Sequence, residues 1–232
     1  MMVKPILFNT EMVRAILDRR KSCTRRLVKP QPDEKHTYPL GFVTDSTEKK
    51  EVGCFGFGVV EYGGSIQYAK PPCQPGDILY VRETWERFEC WNCEGDESGN
   101  CPKEPKKSVL DKTCGCYMYR ATDEINGDAK WYPSIHMPKE AARIWLKVTD
   151  VRVERLQKCG EGWCIDIEKE GIATPQDPIL YINDDAFHDA LRMEFQKIWD
   201  GTIKKSDLDR YGWDANPWVW VIEFERCEKP KE

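Results

Sequence analysis

Five cysteines crowded into one polar stretch are the clearest local chemistry in the chain: Cys90-x2-Cys93, then Cys101, then Cys114-x-Cys116. The first pair has the spacing of a metal knuckle. Four thiolates at about 2.3 Å around a tetrahedral Zn2+ would cross-link a segment with almost no apolar residues to bury. The second pair is spaced x1 rather than x2 and five thiols compete for four places, so disulfides and unligated thiols stay open as alternatives. A four-thiolate shell leaves no position for water, so such a zinc is structural rather than catalytic. The other six cysteines, Cys23, Cys54, Cys73, Cys159, Cys164 and Cys227, are scattered singly and read as small core hydrophobes.

A second concentration of chemistry is basic. Residues 13 to 30 hold Arg14, Arg19, Arg20, Lys21, Arg25, Arg26 and Lys29 against the single acid Asp18, a local +6 in a chain of net charge −5. Such a segment meets an anion, pairs with acids from elsewhere, or forms a solvated face. The three histidines do not suggest a triad: His36 sits among turn residues, His188 lies mid-helix, and only His136, in Ser134-Ile135-His136-Met137-Pro138, has an unusual setting. No Gly-x-Ser-x-Gly, phosphate-binding loop or dinucleotide fingerprint is present. Of nine tryptophans, Trp145, Trp218 and Trp220 fit strand packing, whereas Trp85, Trp131 and Trp213 flank turns and offer a stacking platform for a nucleobase.

The elements that must position these residues follow from periodicity. Lys4 to Phe8 reads as a strand, and Thr10 caps a helix with Met12, Ala15 and Ile16 at helical spacing, ending near Arg19 or Arg20. The basic cluster then straddles the helix end and the loop after it. Lys29 to Lys50 is turn-rich, and Cys54 to Tyr62 is a strand in which the glycine-rich run Gly53 to Gly58 suggests a bulge or a close backbone approach. Pro75-Gly76-Asp77 launches a strand over Ile78 to Arg82. Residues 89 to 116 form a cysteine-rich insertion, and strand-like sequence resumes at Tyr117. Ile144 to Leu156 and Trp218 to Phe224 read as strands, and Asp185 to Trp199 as a helix with Phe187, Leu191, Phe195 and Trp199 on one face. The pattern predicts an α+β fold: one domain over 1–232, a small mixed β-barrel with two or three peripheral helices.

A chain of 232 residues and 27.0 kDa buries enough surface to be stable without disulfides. Its acidic balance, with a pI near 5.5, argues against nonspecific coating of nucleic acid through a basic surface. The longest apolar run, around Trp218 to Ile222, falls far short of the ~20 residues that span a bilayer, and Met1 to Lys21 has no continuous apolar stretch. These features predict a cytoplasmic protein with no membrane partner, and nothing in the sequence points to a protein partner.

Arg19-Arg20-Lys21-Ser22-Cys23-Thr24-Arg25-Arg26, after a capped helix and before a turn-rich loop, resembles the signature of the ASCH family, a Gly-x-Lys followed by Ser or Thr positions and a downstream Arg. Pro75 to Val81, Val151 to Leu156 and Val219 to Phe224 are similar to that family's strands in order. Arg82-Glu83-Thr84-Trp85, Ser134 to Pro138 and Asn216-Pro217-Trp218 are further landmarks shared with its longer phage- and prophage-borne members. The resemblance covers nearly all of the chain outside the insertion. It implies a PUA-like barrel that contacts RNA or a nucleoside. Some small members are amidohydrolases that deacetylate N4-acetylcytidine with a lysine, a threonine and a glutamate, which fall here on Lys21, Thr24 and Glu170, with Glu168 and Glu161 as other matches for the glutamate. Arg26 would then steady the oxyanion, and Arg82, Glu83, Ser134 and His136 would contact substrate. Arg19 stands where the family has glycine. Other members imply a noncatalytic RNA-binding module or a metal-dependent ribonuclease.

Overall fold

The computed structural model describes residues 1–59, 64–89, 106–107, 114–124, 130–160, 165–172 and 184–230. In chain order the elements are β1 (Val3–Leu7), α1 (Thr10–Leu17), β2 (Cys23–Leu27), β3 (Tyr38–Phe42), β4 (Phe55–Gly58), β5 (Ile66–Ala69), β6 (Ile78–Arg82), β7 (Trp85–Glu89), β8 (Lys106–Lys107), β9 (Cys114–Tyr119), β10 (Trp145–Arg155), α2 (Ile165–Glu168), α3 (Asp184–Thr202), α4 (Leu208–Tyr211) and β11 (Trp218–Cys227). The fold is mixed α+β, built on three sheets. The principal sheet runs β1-β6-β10-β11-β2, and two three-stranded sheets run β3-β4-β5 and β7-β9-β8.

Strand alternation explains why this sheet is buried on both faces. Trp218, Trp220, Ile222 and Phe224 of β11 point into a core shared with Phe55, Phe57, Leu79 and Val81. Val219 and Val221, between them, face Leu191, Phe195 and Trp199 of α3. The same switch on β6 sends Leu79 and Val81 into the first core, and Ile78 and Tyr80 toward Trp145 and Met137. The strand-packing reading of Trp145, Trp218 and Trp220 agrees with their burial.

Five expectations are corrected. The barrel is not closed: β1 and β2 are the two edges of the sheet, and among the described residues no ladder joins them. The guanidinium of Arg26 spans the opening instead, donating from Nη2 to the Leu7 carbonyl at 3.0 Å, so a side chain stands where a strand pair would be. The segment after α1 is a strand rather than a loop, with Thr24 opposite Ile222 and Arg26 opposite Trp220. The cap of α1 is Asn9, whose side chain accepts from the Met12 amide at 2.8 Å, not Thr10. The turn-rich connection contains a strand of its own, β3. The insertion springs from a strand pair: Trp85 to Glu89 runs antiparallel to Gly115 to Tyr119, so strand structure returns before Tyr117.

Among the described residues no helix is long and apolar enough to cross a membrane.

Candidate active site at the open edge

A Schellman turn delivers the first functional side chain. The amide of Arg19 bonds the Ile16 carbonyl at 3.1 Å and that of Arg20 bonds the Ala15 carbonyl at 2.8 Å, while Arg19 takes a left-handed φ of 62°. Arg19 therefore keeps the backbone geometry that favours a glycine. The Lys21 amide also bonds the Ala15 carbonyl, at 3.0 Å, and this turns its side chain inward. A short segment after α2 then pairs with residues 21 to 23: the amides of Ser22 and Cys23 both reach the Lys169 carbonyl, and Lys21 and Glu170 form a bridge. Gly171, at φ 78°, makes this approach possible, since a Cβ there would lie 2.7 Å from the Cβ atoms of both Ala15 and Lys21.

Lys21 and Glu170 meet in the interior. The ammonium donates to Glu170 Oε2 at 2.7 Å, to the Cys23 carbonyl at 2.7 Å and to the Glu170 carbonyl at 2.9 Å. Glu170 Oε1 accepts from Arg25 Nη1 at 3.0 Å. The side chains of Lys21 and Glu170 are 0% and 5% exposed, which rules out a solvated face for this part of the basic cluster. Lys21 and Arg25 pair with acids from distant segments, Arg25 with Glu154 as well at 3.9 Å. Burial pulls the Lys21 pKa below its ordinary value, and the Glu170 charge only partly opposes it. The Cys23 thiol is pushed up to about 12 by burial and then by Glu170, which leaves it an inert packing group. Of the glutamates matched by sequence, Glu170 is the one beside Lys21; Glu168 is exposed and Glu161 lies outside the described residues.

Thr24 and Arg26 occupy the other face of β2. Thr24 Oγ1 accepts from Arg26 Nη1 at 2.9 Å, and the Arg26 guanidinium lies 5.3 Å from the Phe8 ring centre. A cleft of about 730 Å3 opens between the sheet edges, and Thr24, Arg25, Arg26 and Glu170 line it. Lys21 does not line it and reaches it through Glu170. A second cleft of about 660 Å3, between α1 and α3, shares Asn9, Met12, Glu170, Phe195 and Ile198 with the first.

The remaining expected contacts gather elsewhere. Arg82 donates from Nε to the Met137 carbonyl at 2.7 Å and from Nη2 to the Ile135 carbonyl, which fastens the 3-10 turn Ser134–His136 to the end of β6. Glu83 is bound by Arg143 through two bonds of 2.9 Å. Arg82, Glu83, Ser134 and His136 are absent from the cleft wall: Arg82 and Glu83 are held by the Met137 and Ile135 carbonyls and by Arg143, and Ser134 and His136 stand on the turn that Arg82 fastens. Trp213 is packed in the core and Trp85 lies between Tyr117 and Tyr132; the rings at the cleft are Phe195, Trp199 and Trp220. Phe195 and Trp199 are spaced i, i+4 on α3, a pattern that reads as core packing whether or not a cleft borders it.

Cys90, Cys93 and Cys101 lie outside the described residues, as do the side chains of Cys114 and Cys116, and with them the zinc expectation. Among the described residues no group of three or more potential ligands is placed to hold a metal ion. No protein-family model, curated protein or solved structure matches this chain.

Proposed function

We propose that the chain is an ASCH-type, PUA-like protein that hydrolyses the N4-acetyl amide of a cytidine in the cleft between β1 and β2. One observation carries this reading: a buried Lys21–Glu170 pair at 2.7 Å touches a cleft whose wall includes the hydroxyl of Thr24 and the guanidinium of Arg26. All three N–H groups of the charged ammonium are occupied. Transfer of one proton to Glu170 leaves a neutral amine able to act as a base, and burial lowers the cost of that transfer.

Substrate entry must turn the freed amine from its present partners toward Thr24, whose proton it then takes as Oγ1 attacks the acetyl carbon, and Arg26 steadies the oxyanion. The C–N bond breaks as N4 receives the proton held by Glu170, releasing cytidine and an acetyl ester on Thr24. Water cleaves the ester to acetate and restores the hydroxyl. Incubation of the protein with N4-acetylcytidine should yield cytidine and acetate in equal amounts by chromatography, and Thr24→Val should yield neither while retaining the wild-type circular dichroism spectrum. Absence of product from the wild-type protein rejects the hydrolase reading.

Full occupation of the Lys21 ammonium also favours a second reading, in which the pair is a pin and the cleft binds a pyrimidine without changing it. Saturable cytidine binding with no turnover of the acetylated form identifies that case.

A further inference from the structure

The cleft is cationic within an acidic protein. Its described wall carries Lys4, Arg25, Arg26, Lys29 and Lys70 against one carboxylate, Glu170, whereas the whole chain has a net charge of −5. Two of these cations are already matched: Arg25 by Glu170 and Glu154, and Lys4 by Asp77 at 3.2 Å. Lys29 and Lys70 are exposed, and among the described residues no carboxylate stands within 4.0 Å of either. A charge left unmatched at a concave surface attracts an anion more strongly than one on a convex face, because low-dielectric walls focus its field.

The placement of these lysines is directional. β1 runs parallel to β6, β6 and β10 are antiparallel, and so are β10 with β11 and β11 with β2, so β1 and β2 run in opposite directions across the opening. Leu7 therefore lies at the Thr24–Arg26 end, as the bond from Arg26 to its carbonyl confirms, and Lys4 lies toward Lys29. Lys4 also donates to the Pro72 carbonyl, which brings the strand-flanking segment with Lys70 to the same end. Five residues at ~3.3 Å each put the Lys29 backbone roughly 15 Å from Thr24. The Lys29 ammonium lies 5.9 Å from the Tyr211 ring centre, and its distance from Thr24 along the cleft is on the scale of a base with its ribose and phosphate. The aromatic rings of Phe195 and Trp199 and the side chain of Ile198 stand on the α3 wall.

We infer that the cleft selects a phosphate-bearing cytidine over the free nucleoside, with Lys29 and Lys70 receiving the phosphate while the base points toward Thr24 and Glu170. This inference rests on the pyrimidine reading of the site and names the ligand class within it. Lys29 and Lys70 are specificity-determining residues, remote from the reacting amide.

Calorimetric binding of cytidine and cytidine 5′-monophosphate to the full chain tests it without any hydrolysis. The monophosphate should bind about three- to tenfold more tightly at low salt, as expected for one or two partly exposed charge contacts. Lys29→Gln combined with Lys70→Gln should erase that advantage and leave cytidine affinity unchanged. A short oligocytidylate ribonucleotide resolves the source of the phosphate: a steeper salt dependence than that of the monophosphate assigns the ligand to RNA, and an equal one assigns it to a mononucleotide. Equal affinity for cytidine and its monophosphate, or a double variant that weakens both alike, overturns the inference and leaves the pyrimidine site standing. Failure of both ligands to bind overturns both readings.

Discussion

Glu170 and Glu83 are two buried carboxylates, each gripped by basic side chains, that differ in what lies beside them. Glu170 is held by Lys21 and Arg25 and forms part of a cleft wall. Glu83 is held by both ends of the Arg143 guanidinium, which stacks 4.0 Å from the Tyr119 ring centre and donates to Thr122. Its nearest apolar company, Met137 and Tyr119, is part of a sealed core. Burial dominates both sites: it lowers the Lys21 pKa against the pull of Glu170 and raises the Glu83 pKa against the pull of Arg143. A perturbed titration is thus common to the two, and access to a ligand separates them.

Removing a charge from each site should break the comparison in opposite ways. Under the proposed mechanism Lys21→Ala lowers deacetylation by about two to four orders of magnitude, the range expected for loss of a general base. The variant still folds, because Arg25 continues to hold Glu170. Glu83→Ala should cost about 3 kcal/mol of stability, measured by urea unfolding, since it strands Arg143 and leaves a void. The turnover of its folded fraction should match wild type. A Glu83→Ala protein that folds normally but does not turn over would reverse the assignment of the two sites.

Gly171→Ala sharpens the contrast by acting on backbone alone. The added methyl would meet Ala15 and Lys21 at 2.7 Å, at a φ that side chains rarely adopt. A loss of about 2–3 kcal/mol is expected, together with lower turnover, because the strain falls on the Lys21 Cβ. Normal turnover in this variant would show that the Lys21–Glu170 approach is looser than the contacts suggest.

The pH dependence of stability should also differ in sign. The folded pKa of Lys21 lies below its ordinary 10.5, so in the window beneath 10.5 the unfolded chain binds more protons and stability rises with pH. The folded pKa of Glu83 lies above its ordinary 4.5, so just above 4.5 the native state binds more protons and stability falls as pH rises. Unfolding titrations of Lys21→Met and Glu83→Gln should lose the first and second trend respectively. Retention of the alkaline rise in Lys21→Met would assign it to another group.

Long periodic elements were legible in the sequence. β6, β10, β11, α1 and α3 fall close to their predicted ranges because apolar alternation or helical spacing is what buries them. β2 was not, although it carries the site. Cys23-Thr24-Arg25-Arg26-Leu27 has no apolar alternation, and its arginines look solvated until Glu170 and Glu154 arrive from far along the chain. The open edge was hidden for a related reason: nothing local in Arg26 says that its side chain, rather than a strand, will face β1. Asn9 and the adjacent Thr10 carry equally suitable capping side chains, so the sequence alone does not separate them as the cap of α1. The His36 ring, which joins Asp33 at 2.7 Å and Ser65 at 2.8 Å, shows the same limit, since one of its partners lies 29 residues away.

Arg19 supplies the smallest test, and it separates turn geometry from side-chain chemistry. At the end of α1 it adopts φ 62° in the Schellman turn that aims Lys21 inward, where a residue with a Cβ is strained by roughly 1–2 kcal/mol relative to glycine. Glycine loses more backbone freedom on folding, which offsets about 0.5–1 kcal/mol of that gain. Arg19→Gly should therefore raise stability by about 0.5–1 kcal/mol, read as a higher urea midpoint at unchanged slope. Turnover should stay at the wild-type level, because the amide bonds to Ile16 and Ala15 that set the Lys21 direction involve no side-chain atom of residue 19. A fall in turnover accompanied by the expected gain in stability would instead give the Arg19 guanidinium a part in the site, one that its exposure and its absence from the walls of both clefts do not call for.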